Sequence, residues 1–391
     1  MKKCLAVIVV SLILMHHMAA QYPFIRYDLN TIVLPNDSSA WIKLANKMHE
    51  AKTSGKLNIV HFGDSHIQGD YFTGEVRKNL FNYLKTNTRS RGITMPYSVA
   101  GTNGPDELSS SSKGAVAHGC VRKGPANYYA LTGYSIYSTD TLFTISIKDT
   151  IYSFNKVFVF HSVLKGQEIR LNTKLPSYTK EISDSLAVSV FKLPELLAEL
   201  KLEVTNRARV KTSIYGFSLE NYANTVLYNN IGVNGATFGT FLKMQNQEEL
   251  IKLTDPDCVI FSYGTNDALN GRLDSALLKS QIQSCINTIR KGSPGVPIIF
   301  TTPGDYLISK KYVNPKTVQV ANIIKRTALR NGCAYWDFHE VMGGAGSVKD
   351  WYKNQFVYKD WIHLSKKGYR FQGDLFFEAL LKFSKINKTD E

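Results

Sequence analysis

The chain has few cysteines and no regular repeats. Five cysteines are scattered among 391 residues without a Cys-x-x-Cys spacing, and Cys258 and Cys333 open strand-like runs, so we predict buried thiols rather than a disulfide framework. The 27 glycines and 12 prolines follow no period, and no unit of ~20–50 residues recurs, which argues against fibrous, solenoid and propeller architectures. With 20% charged and 43% hydrophobic residues, the chain is expected to fold around a packed core.

Long hydrophobic runs are also missing, apart from one near the amino terminus. Lys2 and Lys3 precede an apolar run over residues 5–15, and Met18-Ala19-Ala20 follows it. This arrangement predicts a secretory signal peptide over residues 1–20, because the run is too short to span a bilayer comfortably. No later apolar stretch approaches ~20 residues, so we expect no integral membrane segment after cleavage. The protein is predicted to be exported, and to be periplasmic or associated with the cell envelope.

Acidic residues are outnumbered by basic ones. The chain has 47 Lys and Arg against 32 Asp and Glu, which gives a formal net charge of +15. The lysines are scattered and no nucleic-acid-binding motif is present, so nucleic acid is not an expected partner. The basic charge fits either an anionic polymer of the envelope or a well-solvated surface.

Short buried strands and amphipathic helices alternate along two parts of the chain. The first part has a predicted helix at 40–52, a strand at 57–62 and a helix at 73–84. The second part has predicted strands at 225–228, 257–263, 296–301 and 333–336, and predicted helices at 238–253, 273–290, 315–330 and 364–381. This alternation predicts a three-layer α/β/α sandwich around a five-stranded parallel sheet of flavodoxin-like type.

Residues 105–222 break the alternation. They contain short alternating runs at 134–137, 142–147, 156–160 and 202–204 with turn residues between them, and a helix is predicted only at 193–200. Such a pattern is typical of an antiparallel sandwich or jelly roll. We therefore predict an all-β, jelly-roll-like domain at 105–222, inserted into an α/β domain formed by residues 21–104 and 223–391.

Three motifs lie where an α/β sheet places its active site, beyond the carboxyl ends of strands. Gly63-Asp64-Ser65-His66 puts a hydroxyl on a turn before a helix N-terminus. Gly264-Thr265-Asn266-Asp267 offers a side-chain amide that can bind an oxyanion. Asp360 and His363 are three residues apart, so the carboxylate can hold the imidazole in one tautomer. Taken singly, each motif is also explained as a helix cap or a turn.

Taken together with Gly232-Val233-Asn234-Gly235-Ala236-Thr237, these motifs resemble the blocks of the SGNH (GDSL-type) hydrolase superfamily, over roughly residues 40–104 and 223–385. The resemblance implies a serine esterase that needs no metal or organic cofactor. It also implies roles for the residues at matching positions: Ser65, Asp360 and His363 form the catalytic triad, and the Ser65 and Gly235 amides with the Asn266 side chain form the oxyanion hole. His66 stands where the name motif has Leu, and is expected to tune the pocket.

The spacing of the blocks narrows the resemblance to one group within the superfamily. Ser65 and Gly235 are 170 positions apart, far more than one helix and one strand require. An exported SGNH protein with a β-rich insert between these blocks resembles the peptidoglycan O-acetylesterases, and GDSHIQGD and GVNGAT are similar to that group's versions of the blocks. The resemblance implies an insert similar to a carbohydrate-binding module. The implied partner is an acetylated glycan polymer, with the 6-O-acetyl group of muramic acid in peptidoglycan as the ester.

Several alternatives stay open at this point. The protein could act on other acetylated polysaccharides, transfer the acetyl group instead of hydrolysing it, or bind glycan without catalysis. Asp64, His66 and Asp70 could be ligands of a dinuclear phosphoesterase, although the paired histidines of such a site are missing. His339 with Asp337, after the last predicted strand, is a rival catalytic dyad.

Overall fold

A computed structural model describes residues 22–53, 56–86, 89–122, 128–171, 177–222, 226–269 and 271–385. The predicted signal peptide at 1–20 lies outside these residues. The strands, in chain order, are β1 (Ile32–Val33), β2 (Leu57–Gly63), β3 (Gly92–Thr94), β4 (Leu108–Lys113), β5 (Val116–Gly119), β6 (Tyr134–Ser138), β7 (Leu142–Asp149), β8 (Phe154–His161), β9 (Glu168–Leu171), β10 (Ser177–Ser183), β11 (Leu186–Leu197), β12 (Glu199–Thr205), β13 (Thr212–Glu220), β14 (Val226–Gly232), β15 (Cys258–Ser262), β16 (Ile298–Thr301), β17 (Leu307–Ile308), β18 (Tyr312–Val313) and β19 (Ala334–Trp336).

The α-helices are α1 (Ser39–Glu50), α2 (Ser65–Gln68), α3 (Tyr71–Leu84), α4 (Phe238–Phe241), α5 (Gln247–Thr254), α6 (Thr265–Leu269), α7 (Ser275–Gly292), α8 (Pro315–Arg330), α9 (Phe338–Val341), α10 (Val348–Lys353) and α11 (Lys366–Ser384). The predicted helix at 238–253 is two helices, α4 and α5. Asn246 separates them with a φ of 55°, a left-handed conformation that a continuous helix cannot contain. Among the described residues, no helix is long and apolar enough to cross a membrane.

The central sheet has the strand order β1-β19-β16-β15-β2-β14. Five of these strands are parallel, as predicted, and the short β1 adds a sixth, antiparallel strand at the edge. The sequence pattern missed β1 because two residues are too few to show a period. Helices α1, α3 and α11 cover one face of the sheet, and α5, α7 and α8 cover the other. The α/β part is therefore the predicted three-layer sandwich.

Two antiparallel sheets occupy the stretch between β2 and β14. One has the order β10-β11-β8-β13-β6-β5 with β3 paired to β13, and the other has the order β4-β7-β12-β9. The helix predicted at 193–200 is wrong, because these residues end β11 and begin β12. β3 at 92–94, which precedes the predicted boundary at residue 105, pairs with β13 of the larger antiparallel sheet.

The antiparallel sheets and the α/β sandwich share one hydrophobic core. Phe62 and Val259 of the central sheet belong to the same buried cluster as Leu202 of β12 and Phe217 of β13. Cys120, Cys258, Cys285 and Cys333 are all free and buried, as predicted from their positions. The α/β and β-rich parts of the chain are thus packed as one body through apolar contacts.

Candidate active site

Three neighbouring strands end beside the predicted site residues. In the central sheet β2 lies between β14 and β15, and all three run parallel, so their carboxyl ends meet at one edge. Ser65 follows the end of β2 by two residues, Gly235 follows β14 by three, and Asn266 follows β15 by four. The topology therefore brings together residues that are up to 201 positions apart in sequence.

The turn that carries Ser65 is fixed by its two preceding residues. A Cβ atom at Gly63 would lie 2.7 Å from the carbonyl oxygen of Ser262, so only glycine allows this approach of β2 to β15. The Asp64 carboxylate caps α2 by accepting a hydrogen bond from the His66 amide at 2.9 Å. Ser65 is the first residue of α2, and its hydroxyl is held at the end of the strand.

Ser65, His363 and Asp360 form a continuous chain of hydrogen bonds. Ser65 Oγ lies 2.8 Å from His363 Nε2, and His363 Nδ1 lies 2.7 Å from Asp360 Oδ2. Asp360 Oδ1 accepts from the amides of Ile362 and His363 at 2.9 and 3.0 Å. Partial burial raises the pKa of Asp360, but these amides and the imidazole outweigh it and hold that pKa below its usual range. The carboxylate is therefore ionised opposite the imidazole.

The loop that carries this Asp and His is anchored at Trp361. Trp361 has a φ of 64°, an uncommon conformation for an aromatic residue, and its ring stacks on Tyr352 with centroids 3.9 Å apart. Its carbonyl oxygen accepts a hydrogen bond from the Leu307 amide at 3.0 Å. Packing against α10 and β17 thus fixes the turn that aims His363 at Ser65.

The two predicted oxyanion residues, Gly235 and Asn266, line the same cleft as Ser65. Gly235 has a φ of 78°, which favours glycine at this position. The Asn266 side-chain amide donates to the Ala236 carbonyl at 3.0 Å and to Asp64 Oδ2 at 3.3 Å. Asn266 is therefore tied both to the loop of Gly235 and to the turn of Ser65.

His66 contributes more to the site than its sequence position suggested. Its Nδ1 lies 3.0 Å from Asp64 Oδ1, and its Nε2 lies 3.4 Å from the carbonyl oxygen of Ile362. Burial lowers the pKa of His66, but Asp64 and the Ile362 carbonyl outweigh it, so the pKa lies above its ordinary value. Because both partners are acceptors, this environment favours an imidazolium whose ring centroid is 5.2 Å from that of His363.

A polar network at the rim of the cleft was not predicted from the sequence. Gln68 Nε2 donates to the Asn103 carbonyl at 2.6 Å, and Gln68 Oε1 accepts from the Asn234 amide at 2.7 Å. The Asn234 side chain donates to Asn103 Oδ1 at 2.6 Å. These residues come from three separate segments, so no local spacing could have indicated the network. It joins the motif around Gly235 to the segment before β4.

His339 and Asp337 do not form the rival catalytic dyad. His339 Nδ1 faces Glu340 Oε1 at 3.3 Å, whereas Asp337 accepts from Lys325 at 2.6 Å and from the Thr302 hydroxyl at 2.9 Å. The Asp337 carboxylate is therefore committed to other partners, and the two side chains do not pair.

The metal hypothesis is also opposed by the contacts of its proposed ligands. Arg77 binds both oxygens of the Asp70 carboxylate, at 2.7 and 3.0 Å, and Arg91 adds a contact at 3.0 Å. A carboxylate neutralised by two guanidinium groups is a poor metal ligand. Among the described residues, no group of three or more His, Cys, Asp or Glu side chains is placed to hold a metal ion.

These residues surround an open cleft of about 580 Å³. Its lining includes the triad, Gly235 and Asn266, together with the phenol rings of Tyr71, Tyr358 and Tyr369. Hydroxyl, amide and imidazole groups thus share the walls with aromatic faces.

Comparison with known proteins gives a family match for the second half of the chain. Residues 204–371 match the sequence model of the GDSL-like Lipase/Acylhydrolase family. Over this region the chain is similar to the SGNH (GDSL-type) hydrolases, and this likeness supports a carboxylic ester hydrolase. The matched region begins at the end of β12, so it includes β13 and the motifs of Gly235, Asn266 and His363 but not the turn of Ser65.

One solved structure shows the same fold over most of the chain, and others are similar to smaller parts of it. A peptidoglycan O-acetylesterase structure is similar with a TM-score of 0.74 and 21% identity, over 90% of this chain and 99% of that one. An acetyl xylan esterase matches with 19% identity over 40% of this chain and 80% of that one, at a TM-score of 0.32. A carbohydrate esterase of family 3 from Talaromyces cellulolyticus matches with 18% identity over 42% and 75%, at a TM-score of 0.33. No curated protein matches the sequence significantly.

Proposed function

We propose that this protein is a serine acetylesterase of the SGNH type that removes O-acetyl groups from peptidoglycan, with the 6-hydroxyl of muramic acid as the acetylated position. The observation that carries the proposal is the continuous Ser65–His363–Asp360 hydrogen-bond chain on the wall of an open cleft lined by polar and aromatic side chains. A non-catalytic glycan-binding protein would have no need to keep all three side chains in this hydrogen-bonded arrangement.

In the proposed reaction, Ser65 is the nucleophile and His363 the base. His363 Nε2 takes the Ser65 proton as the hydroxyl oxygen attacks the acetyl carbonyl, and the ionised Asp360 stabilises the resulting imidazolium. His363 then gives the proton to the departing sugar oxygen, which leaves an acetyl group on Ser65. Water, activated by the same imidazole, hydrolyses this ester and releases acetate.

The oxyanion of each tetrahedral intermediate would be bound by the Ser65 and Gly235 amides and by the Asn266 side chain. The Asn266 amide already donates hydrogen bonds to Asp64 and to the Ala236 carbonyl. Before the substrate arrives, the longer of these bonds, to Asp64, keeps the Asn266 side chain oriented. An oxyanion would replace this bond.

The chemistry of the cleft supports a polymeric sugar as the alcohol part of the ester. Tyr71 and Tyr358 offer ring faces for sugar stacking, and the Asn103 and Asn234 amides offer hydrogen bonds for hydroxyl groups. The likeness of the fold to a peptidoglycan O-acetylesterase over 90% of the chain is a further support. We also propose that the β-rich stretch is an inserted, jelly-roll-like module resembling carbohydrate-binding modules, and that it helps to hold the polymer.

The proposed substrate places the protein outside the cytoplasm. The basic start at Lys2 and Lys3 and the apolar run at 5–15 support export through a signal peptide. We propose a periplasmic or envelope-associated enzyme.

Acetate release from purified O-acetylated peptidoglycan tests the proposal, with acetylated xylan, a long-chain ester and the Ser65→Ala variant as comparisons. Faster release from peptidoglycan than from xylan, abolished by Ser65→Ala, is the expected result. Preference for xylan would refute the substrate. Acetyl groups recovered on an added sugar rather than as acetate would identify a transferase, and an inactive wild-type protein that still binds glycan would identify a binding protein.

A further inference from the structure

A second cavity, of about 390 Å³, adjoins the catalytic cleft. Tyr71 lines both, so its side chain forms a partition between them. The Tyr71 hydroxyl donates to Asp106 Oδ1 at 2.7 Å, and Lys366 binds the other oxygen of that carboxylate at 2.6 Å. The Tyr71 side chain is thus held in place by Asp106, which Lys366 also binds. The proposed reaction makes no use of the cavity behind Tyr71.

The floor of this cavity is a buried set of charges. Arg77 and Arg91 both bind Asp70, and Arg91 also binds Asp149 at the end of β7. Both guanidinium groups lie over the ring of Tyr152, with their carbon atoms 5.8 and 5.0 Å from its centroid. The two guanidinium groups balance the charges of the two carboxylates. The floor is rigid because each of these four groups has several partners.

One donor of this floor remains without a partner. Arg91 uses Nε for Asp149 and Nη1 for Asp70, but its Nη2 is buried and has no hydrogen-bond acceptor among the described residues. Leaving a buried charged donor unpaired is unfavourable, so such an atom commonly marks a place for water or a ligand. Arg91 is among the residues that line the cavity.

The rim adds positive charge without an ion-pair partner. Arg89 and Arg370 are exposed, line the cavity, and form no ion pair within 4.0 Å in the described part of the chain. Arg89 Nη2 donates a hydrogen bond to the neutral Asn82 Oδ1 at 3.2 Å, which leaves its charge uncompensated. Lys78 is also on the rim but is bound to Glu75 at 2.6 Å. With Glu107 nearby, the rim carries both signs of charge and two available guanidinium groups.

We infer that this cavity binds a carboxylate-bearing peptide that the acetylated glycan carries beside the ester, an inference that rests on the proposed peptidoglycan substrate. Guanidinium groups bind carboxylates through paired hydrogen bonds, which suits Arg89, Arg370 and the free donor of Arg91. The carboxylates of Glu75 and Glu107 disfavour a multiply charged anion, and they offer acceptors for the amide and amino groups of a peptide. Binding there would hold the neighbouring sugar across Tyr71, next to Ser65.

The test compares one glycan with and without its peptides. The double variant Arg89→Gln with Arg370→Gln removes rim charge without touching the buried floor, and Arg207→Gln with Arg330→Gln is a matched control at exposed arginines that do not line either cavity. Each protein is assayed on O-acetylated peptidoglycan, on the same glycan after an amidase has removed the peptides, and on a small neutral acetyl ester. We expect the rim variant to lose about ten-fold in kcat/KM on the intact polymer only, the usual effect of losing a charge-assisted hydrogen bond.

The released peptides give a second readout. They should inhibit the wild-type protein on intact polymer, and inhibit the rim variant much less. An equal loss on both polymers, or no loss on either, would overturn the inference and leave the proposed substrate standing. A wild-type protein that hydrolyses the small ester but neither polymer would refute the substrate itself, and the inference with it.

Discussion

His66 and Asp64 form an ion pair on the turn that carries the nucleophile, with Nδ1 and Oδ1 3.0 Å apart. Through this pair the three motifs of the site are connected: His66 reaches the carbonyl of Ile362 beside the base, and Asp64 reaches the amide of Asn266. We therefore expect His66 to act as a positioning residue that holds His363 near Ser65, and to do so best when it is protonated.

The first prediction concerns the pH dependence of this contact. The pKa of His66 lies above its ordinary value, so its proton is kept to a higher pH than in a free histidine and is lost as the pH rises further. The charged or titratable groups that face it are Asp64, Asp360, His363 and Tyr369. Loss of the His66 proton as the pH rises should therefore lower kcat on the alkaline side of the rate profile.

His66→Gln tests the assignment of this alkaline limb. The variant should lose about ten-fold in kcat at neutral pH and should no longer show the alkaline fall, because its amide does not titrate. The pH profile of kcat, measured on a small acetyl ester, checks this, with His118→Gln on β5 as the control. An alkaline limb that persists in His66→Gln would assign the limb to another group.

The second prediction concerns the nucleophile and its base. Ser65→Ala and His363→Ala should each lower kcat by on the order of 10⁴–10⁶, and the double variant should be little worse, because the members of a triad act as a unit. His339→Ala is the matched control and should stay near wild type, since Asp337 does not contact it. Hydrolysis at an undiminished rate by Ser65→Ala would remove the basis of the proposed mechanism.

The third prediction concerns the oxyanion. Asn266→Ala should lower kcat by roughly 10²–10³, with little change in KM, because the amide acts on charge that develops in the transition state. Steady-state kinetics on the small ester distinguish the two parameters. A variant changed only in KM would show that Asn266 binds the ground-state substrate instead.

The fourth prediction concerns Asp267, next to Asn266. Burial, and then the charge of Asp64, raise the pKa of Asp267 to about 7, against about 3.9 for an unfolded Asp. The folded state therefore holds this proton more tightly, and the stability that it contributes below about pH 4 is lost as the pH rises to about 7. Asp267→Asn should remove this loss.

Thermal unfolding as a function of pH checks this expectation. The variant should have a Tm higher than wild type by on the order of 5 °C at pH 8, and the difference should vanish near pH 4. Asp184→Asn, at an exposed position, is the control and should shift Tm at neither pH. A constant difference between the variant and wild type at all pH values would exclude the titration of Asp267 as its cause.

The parallel sheet and the site motifs could be predicted because each depends on local pattern. Buried strands such as 57–62 read as continuous apolar runs, and Ser65, Asn266 and His363 follow from the order of short motifs at strand ends. The helix predicted at 193–200 failed for a physical reason. Leu193, Leu196, Leu197 and Leu200 have helical spacing, but pairing of Leu197 with Phe154 and of Leu200 with Ile147 places them in strands.

The contacts of the site were beyond what the sequence could give. Asp64 binds both His66 and Asn266, and this depends on side-chain directions that the sequence does not reveal. The Gln68–Asn103–Asn234 network joins segments that only the fold brings together. The same is true of the second cavity, since Arg91 is placed there by β3 and its partner Asp149 by β7.

The pairing of β3 with β13 also bears on how the chain folds. β2 and β14 are neighbours in the sheet, yet Leu57 and its partner Val226 are 169 positions apart, a separation that makes pairing slow. Once Thr94 has paired with Phe217, the segment left to close between Leu57 and Val226 is roughly 50 residues, which lowers the entropic cost of closure by about 1 kcal/mol. We expect the antiparallel sheets to form early and to bring β2 and β14 close together. The long stretch between these two adjacent strands should then slow assembly of the central sheet less than its length suggests.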